Sequence, residues 1–80
     1  MKILFYGRLA EIMGREVDLP ASPSCSIAQL RERIAAENPD AAEPLLNKRV
    51  RACIGDSIVT ENRLVGHEEQ VEFFPPVSGG

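Results

Sequence analysis

The chain has 80 residues, 44% of them hydrophobic and 26% charged, with a net charge of −3. That is enough for one small domain, 1–80, burying roughly 60% of the surface its unfolded form exposes, and the composition excludes an intrinsically disordered segment. The mild acidity excludes an electrostatic footprint for nucleic acid or an anionic membrane, and no apolar run approaches the roughly 20 residues that span a bilayer; the expectation is a cytoplasmic protein with neither partner.

Lys2-Ile3-Leu4-Phe5-Tyr6 is rich in β-branched and aromatic residues and ends at Gly7, which predicts a strand with Ile3 and Phe5 on one face and Leu4 and Tyr6 on the other. With Arg8 and Glu11 following so closely, it is too short for a signal-peptide core. Arg8 to Arg15 reads as a loop with about one helical turn, ending at Gly14. Glu16-Val17-Asp18-Leu19 alternates polar and apolar before Pro20, as a half-buried antiparallel partner strand does.

Ser26-Ile27-Ala28-Gln29 fits a capping box, with Cys25 and Leu30 spaced as its hydrophobic staple. Ile27, Leu30 and Ile34 then share one helix face, while Arg31, Glu32 and Arg33 fall off it. Pro39 disfavours helical geometry at Asn38 and predicts the stop there. Asp40 to Asn47 predicts a short further turn, with Pro44 near its start and Leu45 and Leu46 packing inward. Val50 to Ile54 alternates, Gly55-Asp56 makes a two-residue hairpin turn into Ser57-Ile58-Val59, and Thr60 to Glu69 is a polar loop carrying Gly66. Gln70-Val71-Glu72-Phe73-Phe74 is the last strand. The order β-β-α-β-β-β predicts an α+β fold, one main helix on a mixed sheet of about five strands.

Self-sufficient catalysis finds little support. The single histidine, His67, sits in a polar loop and lacks companions at metal-ligand spacing or a nucleophile to serve. No glycine-rich phosphate cradle opens a helix, so no bound cofactor is expected. Cys25 and Cys53 lie on apolar-patterned segments and read as reduced, packed thiols rather than a disulfide. Lys48, Arg49 and Arg51 form a basic cluster that reads either as edge protection against aggregation or as a contact for an acidic partner.

The informative segment is Phe73-Phe74-Pro75-Pro76-Val77-Ser78-Gly79-Gly80. Pro75 and Pro76 cannot continue a ladder and favour a stiff extended geometry; residues 75–80 then reach about 20 Å. Gly79 and Gly80 lack Cβ atoms and can thread a narrow channel, which makes the Gly80 carboxylate the expected functional group. With Ile3, Phe5, Val71 and Phe73 facing the helix, Leu4, Tyr6 and Phe74 must face outward. Joined by Ile58 and continuing into Pro75, Pro76 and Val77, they predict an apolar partner-binding patch at the root of the tail.

This ending closely resembles that of the molybdopterin synthase small-subunit family, sulfur carriers of the ubiquitin-like β-grasp class. The opening Lys2-Ile3-Leu4-Phe5-Tyr6-Gly7-Arg8-Leu9-Ala10-Glu11 is similar to that family's start, and the resemblance covers essentially the whole chain. One departure is Cys53-Ile54-Gly55-Asp56, where many relatives carry an asparagine near the turn. The resemblance implies a β-grasp fold and a non-catalytic subunit of a heterotetramer. In that scheme an ATP-dependent activating enzyme adenylates the Gly80 carboxylate and a sulfur donor converts it to a thiocarboxylate. The tail, with Gly79, then enters the large catalytic subunit, which moves the sulfur to cyclic pyranopterin monophosphate. Two alternatives share the Gly79-Gly80 end: another carrier serving thiamine or tRNA thiolation, and a ubiquitin-like modifier joined to lysines through Gly80. The Phe73-to-Val77 spacer favours the molybdopterin reading over both.

Overall fold

A computed structural model of the chain describes residues 1–19, 25–47, 49–66 and 68–75. Strand β1 (Lys2–Phe5) leads through Gly7 into α1 (Arg8–Met13), and β2 (Glu16–Asp18) returns antiparallel to β1. Strand β3 (Cys25–Ser26) precedes the main helix α2 (Ile27–Glu37), which is followed by α3 (Pro39–Leu46). The hairpin β4 (Arg51–Ile54) and β5 (Ser57–Val59), a short β6 (Leu64–Val65) and β7 (Gln70–Phe74) complete the order. The five-stranded sheet runs β2-β1-β7-β4-β5, with β1 and β7 parallel at its centre and the other pairs antiparallel. This is the α+β, mixed five-strand arrangement that the hydrophobic pattern predicts.

Alternation along the central pair sets the core. Ile3 lies opposite Val71 and Phe5 opposite Phe73, and all four are buried with Ile27, Leu30 and Ile34 of α2 in one cluster. The Phe5 and Phe73 rings stack with centroids 5.9 Å apart.

Helix α2 starts where the capping box places it. The Ser26 hydroxyl accepts from the Gln29 amide at 3.2 Å, and the Gln29 side chain accepts from the Ser26 amide at 2.9 Å. The two remaining amides of the first turn are satisfied from a distance, Ile27 N–H by Arg63 O at 3.0 Å and Ala28 N–H by Glu61 O at 3.1 Å. The segment after β5 is thus tied to the start of α2, and it is more than a polar loop. Within it β6 pairs with β3, Cys25 opposite Val65, and Val65 is fully buried. That segment also carries a fork: Arg63 donates two bonds of 2.9 Å to Glu69, whose carboxylate also accepts from the Gly66 amide at 2.9 Å.

Other expectations need correction. Residues 8–13 form a six-residue helix, not a loop with one turn; Gly7 and Gly14 bound it with φ of 62° and 88°, conformations that favour glycine, and Leu9 is buried beneath it. Helix α3 begins at Pro39, whose fixed φ suits a first helical position; Pro44 falls inside the helix rather than near its start. Its end turns Leu45 inward but leaves Leu46 exposed.

The largest correction is Arg31, which is buried on the core side of α2. Its Nη1 donates to Leu45 O at 2.7 Å and to Asn47 O at 3.2 Å, and its Nη2 to Val50 O at 2.5 Å and Glu61 Oε2 at 3.0 Å. Nε faces Glu61 Oε1 at 2.9 Å as an ion-pair contact rather than a directed hydrogen bond. The guanidinium also lies over the Phe73 ring, 5.3 Å from its centroid. One side chain therefore gathers the end of α3, the approach to β4 and the segment after β5 onto α2. A buried guanidinium survives because its planar fork finds acceptors on several sides.

Arg31→Met is expected to lower unfolding free energy by about 3 kcal/mol or more, because it strands buried carbonyls and the Glu61 charge. Arg31→Lys should recover only part of this, since one ammonium cannot span the same acceptors. Urea unfolding checks both, and equal midpoints for wild type and Arg31→Met would contradict the assignment.

The Arg63 bonds, then the Gly66 amide, hold Glu69 below its ordinary 4.5, at about 2. Folding therefore favours the ionised form. Its contribution is full above about pH 4.5 and fades as pH falls toward about 2. The stability gap between wild type and Glu69→Gln should be constant from about pH 7 to 5 and close in that acid window. A pH-independent gap would contradict it.

Candidate functional site

Every residue paired across the sheet shares a face with its partner, so the outward set follows from the register. Leu4 lies opposite Glu72, Glu72 opposite Cys53, and Cys53 opposite Ile58, forming one row across the outer face. The next row holds Phe74 opposite Arg51, with Tyr6 beside Phe74. Tyr6 is 37%, Phe74 36% and Ile58 66% exposed. The Tyr6 and Phe74 rings stack almost parallel, at 3°, with centroids 4.5 Å apart. The predicted outer residues therefore do occupy one side of the sheet, opposite the helices.

Two features of this face were not anticipated. The Tyr6 hydroxyl donates to Glu72 Oε2 at 2.6 Å, and Arg51 borders Phe74. The same parity that turns Phe73 inward turns Glu72 outward, so the alternation carried the signal. The hydrogen bond to Glu72, aided by partial burial and by the carboxylate's charge, raises the Tyr6 pKa and keeps the phenol protonated. Burial and then Glu72 raise the Cys53 thiol. Cys25 and Cys53 are both half-buried and free, and the Cys53 thiol, pushed upward, is a poor nucleophile at neutral pH.

Pro75 follows Phe74 and sits against Gly7: a Cβ built on Gly7 would come within 2.8 Å of Pro75 Cγ. The glycine lets the chain leave the central strand close against the β1–α1 turn. An open cleft of about 600 Å³ beside the stack is lined by Leu4, Tyr6, Gly7, Glu11 and Arg15 among others. A second, of about 330 Å³, includes Arg8, Leu9, Val50 and Pro75. Pro76, Val77, Gly79 and Gly80, like Lys48 and His67, lie outside the described residues. Among the described residues, no group of three or more His, Cys, Asp or Glu is placed to hold a metal ion, and no helix is long and apolar enough to cross a membrane.

A mixed sheet with its last strand central beside the first, covered on one face by a main helix, defines a ubiquitin-like β-grasp domain. The ThiS family profile matches residues 3–80, and the chain belongs to the ThiS family. It is 28% identical to the molybdopterin synthase sulfur carrier subunit of Escherichia coli (strain K12), covering 100% of this chain and 99% of that one. Among solved structures it is similar to SAMP1 from Haloferax volcanii, with a TM-score of 0.81 and 17% identity over 99% of this chain and 97% of that one. It is also similar to molybdopterin converting factor, subunit 1 from Pyrococcus furiosus, with a TM-score of 0.70 and 20% identity over 95% of each. At these identities the structural neighbours establish the fold.

Inner and outer aromatics should separate cleanly in stability. Phe73→Ala is expected to cost about 3–5 kcal/mol, as for a fully buried ring, whereas Phe74→Arg should change unfolding by less than about 1 kcal/mol. Comparable losses in urea would show that Phe74 belongs to the core.

Proposed function

We propose that this chain is a sulfur carrier, the small subunit of a molybdopterin synthase, acting through a thiocarboxylate on Gly80. The observation that carries the reading is the exposed Tyr6–Phe74 stack at the root of Pro75-Pro76-Val77-Ser78-Gly79-Gly80. The full-length likeness to the E. coli sulfur carrier subunit supports it.

The chemistry follows from the terminal group. A carboxylate is ionised at neutral pH and is a poor electrophile. Adenylation by an activating enzyme, with ATP as its substrate, releases pyrophosphate and leaves a mixed anhydride at the Gly80 carbonyl carbon. A sulfur donor then displaces AMP, so that a C–S bond replaces the C–O bond to phosphate. Within the large catalytic subunit the thiocarboxylate sulfur passes to cyclic pyranopterin monophosphate, and water restores the carboxylate. Bulk at Gly79 or Gly80 would obstruct each of these active sites, and two successive prolines favour a stiff, extended spacer before them. The outer face supplies the docking surface that aims it.

Small archaeal modifier protein 1 has the same fold, so the experiment must separate carrier from modifier. Incubation with ATP, the activating enzyme and a sulfur source should raise the intact mass by one oxygen-to-sulfur exchange. Deleting Gly80, or adding a residue after it, should abolish this without unfolding the domain. Cys25→Ala with Cys53→Ala should leave transfer largely intact, as both thiols are half-buried and lie on apolar-patterned segments. Phe74→Arg should weaken large-subunit binding at least about tenfold, and Glu32→Arg on the exposed side of α2 should not. Lysine-linked adducts in place of the mass change would favour the modifier, and a thiocarboxylate on the extended chain would contradict the role of Gly80.

A further inference from the structure

The outer face groups Leu4, Tyr6, Cys53, Ile58 and Phe74 around the Glu72 carboxylate, with Lys2, Glu16 and Arg51 at the borders of the group. Glu72 is half-buried and lies between Leu4 on one neighbouring strand and Cys53 on the other, with Ile58 beyond Cys53. The Tyr6 hydroxyl fixes Oε2 at 2.6 Å, and the Tyr6 ring is itself clamped on Phe74 at 4.5 Å. The carboxylate is therefore held in one orientation in the free protein.

Among the described residues no ion pair reaches it, although two cations, Lys2 and Arg51, share the face. Lys2 is engaged with Glu16 at 3.8 Å, Arg51 stands opposite Phe74 in the next row, and the other ion pairs among the described residues, Met1–Asp18, Arg31–Glu61 and Arg63–Glu69, leave Glu72 out. A neutral phenol satisfies one lone pair but brings no positive charge. In the free domain water solvates the remaining acceptor positions. An apolar surface laid over Leu4, Tyr6, Ile58 and Phe74 removes that water, and a buried carboxylate without a cation is strongly unfavourable. Then a cation must pair with Glu72, from the covering surface or from Arg51 beside Phe74, or Glu72 takes up a proton.

Resting on the reading that this face is the docking surface, we propose that the protein partner covering it carries a lysine or arginine at the centre of its apolar contact, which pairs with Glu72. Tyr6 is a positioning residue in this pair: it occupies Oε2 and turns the rest of the carboxylate toward the partner. The pair fixes how the partner seats on the sheet and so where the end of the chain is delivered. It also discriminates among partners, because one presenting a wholly apolar surface, or a carboxylate, must leave Glu72 unpaired.

The test is titration calorimetry of the full chain with the molybdopterin synthase large subunit from the same organism, at neutral pH in two buffers of different ionisation enthalpy. Circular dichroism checks that each variant is folded. Glu72→Gln keeps the size and the Tyr6 contact and should weaken binding about tenfold, and Glu72→Lys should weaken it further. Wild-type affinity should fall more steeply with salt than that of Glu72→Gln. Wild type and Glu72→Gln should take up the same number of protons on binding. Glu72→Gln binding as tightly as wild type, while Phe74→Arg is weakened, would overturn the cation and leave the docking face standing. A proton taken up by wild type but not by Glu72→Gln would show that Glu72 is neutralised rather than paired, and would also overturn it. Wild-type affinity in both Phe74→Arg and Glu72→Gln would remove the docking face itself, and this inference with it.

Discussion

The structure turns on the parallel pairing of the first strand with the last. Because side chains alternate along a strand, one register decides both faces at once. With Phe5 opposite Phe73, the inward rings stack in the core and Tyr6 and Phe74 must stack outside it. A slip of one residue would bury Glu72 and expose Phe73. The core and the surface assigned to the partner are thus two readings of one constraint. The same pairing puts the start of the tail beside the middle of the sheet, where a partner lying on the outer face is within its reach.

Arg31 supplies what a core of this size cannot. The domain packs three short helices on one sheet, and hydrophobic area alone leaves domains of this size marginal. A guanidinium that donates hydrogen bonds to the carbonyls of Leu45, Asn47 and Val50 closes the connection from α3 to β4. Its contact with Glu61 draws in the segment that also satisfies the first amides of α2. Lying over Phe73, it reaches the inner aromatic pair, so the polar staple and the apolar stack form one continuous unit. None of these contacts uses the outer face, which leaves Tyr6, Ile58 and Phe74 exposed on it.

What could be read from sequence was what depends on neighbours in sequence. Ser26 and Gln29 form their capping box because both partners sit within one turn, and the facing of Ile3, Phe5, Val71 and Phe73 follows from a period of two. Arg31 was not legible, because it stands in a run of charged residues and its acceptors are backbone carbonyls 14 to 19 residues away. Strands β3 and β6 have two residues each, too few for an alternation to show. Leu46 misled because adjacent leucines cannot both point into the core from one helix face. On the outer face Tyr6, Phe74 and Ile58 were legible from parity, whereas the Tyr6–Glu72 bond required knowing which strands are neighbours.

The central claim is that sulfur is carried on Gly80 and surrendered to a molybdopterin synthase. It is met most directly by a single-turnover reaction of the thiocarboxylated chain with the large subunit and cyclic pyranopterin monophosphate, following the intact mass of the chain and the pterin product together. The account predicts that the chain returns to its carboxylate mass as sulfur appears in the pterin, one atom for each chain consumed. A thiocarboxylated chain that binds the large subunit yet keeps its mass, or that ends attached to a lysine, would contradict it.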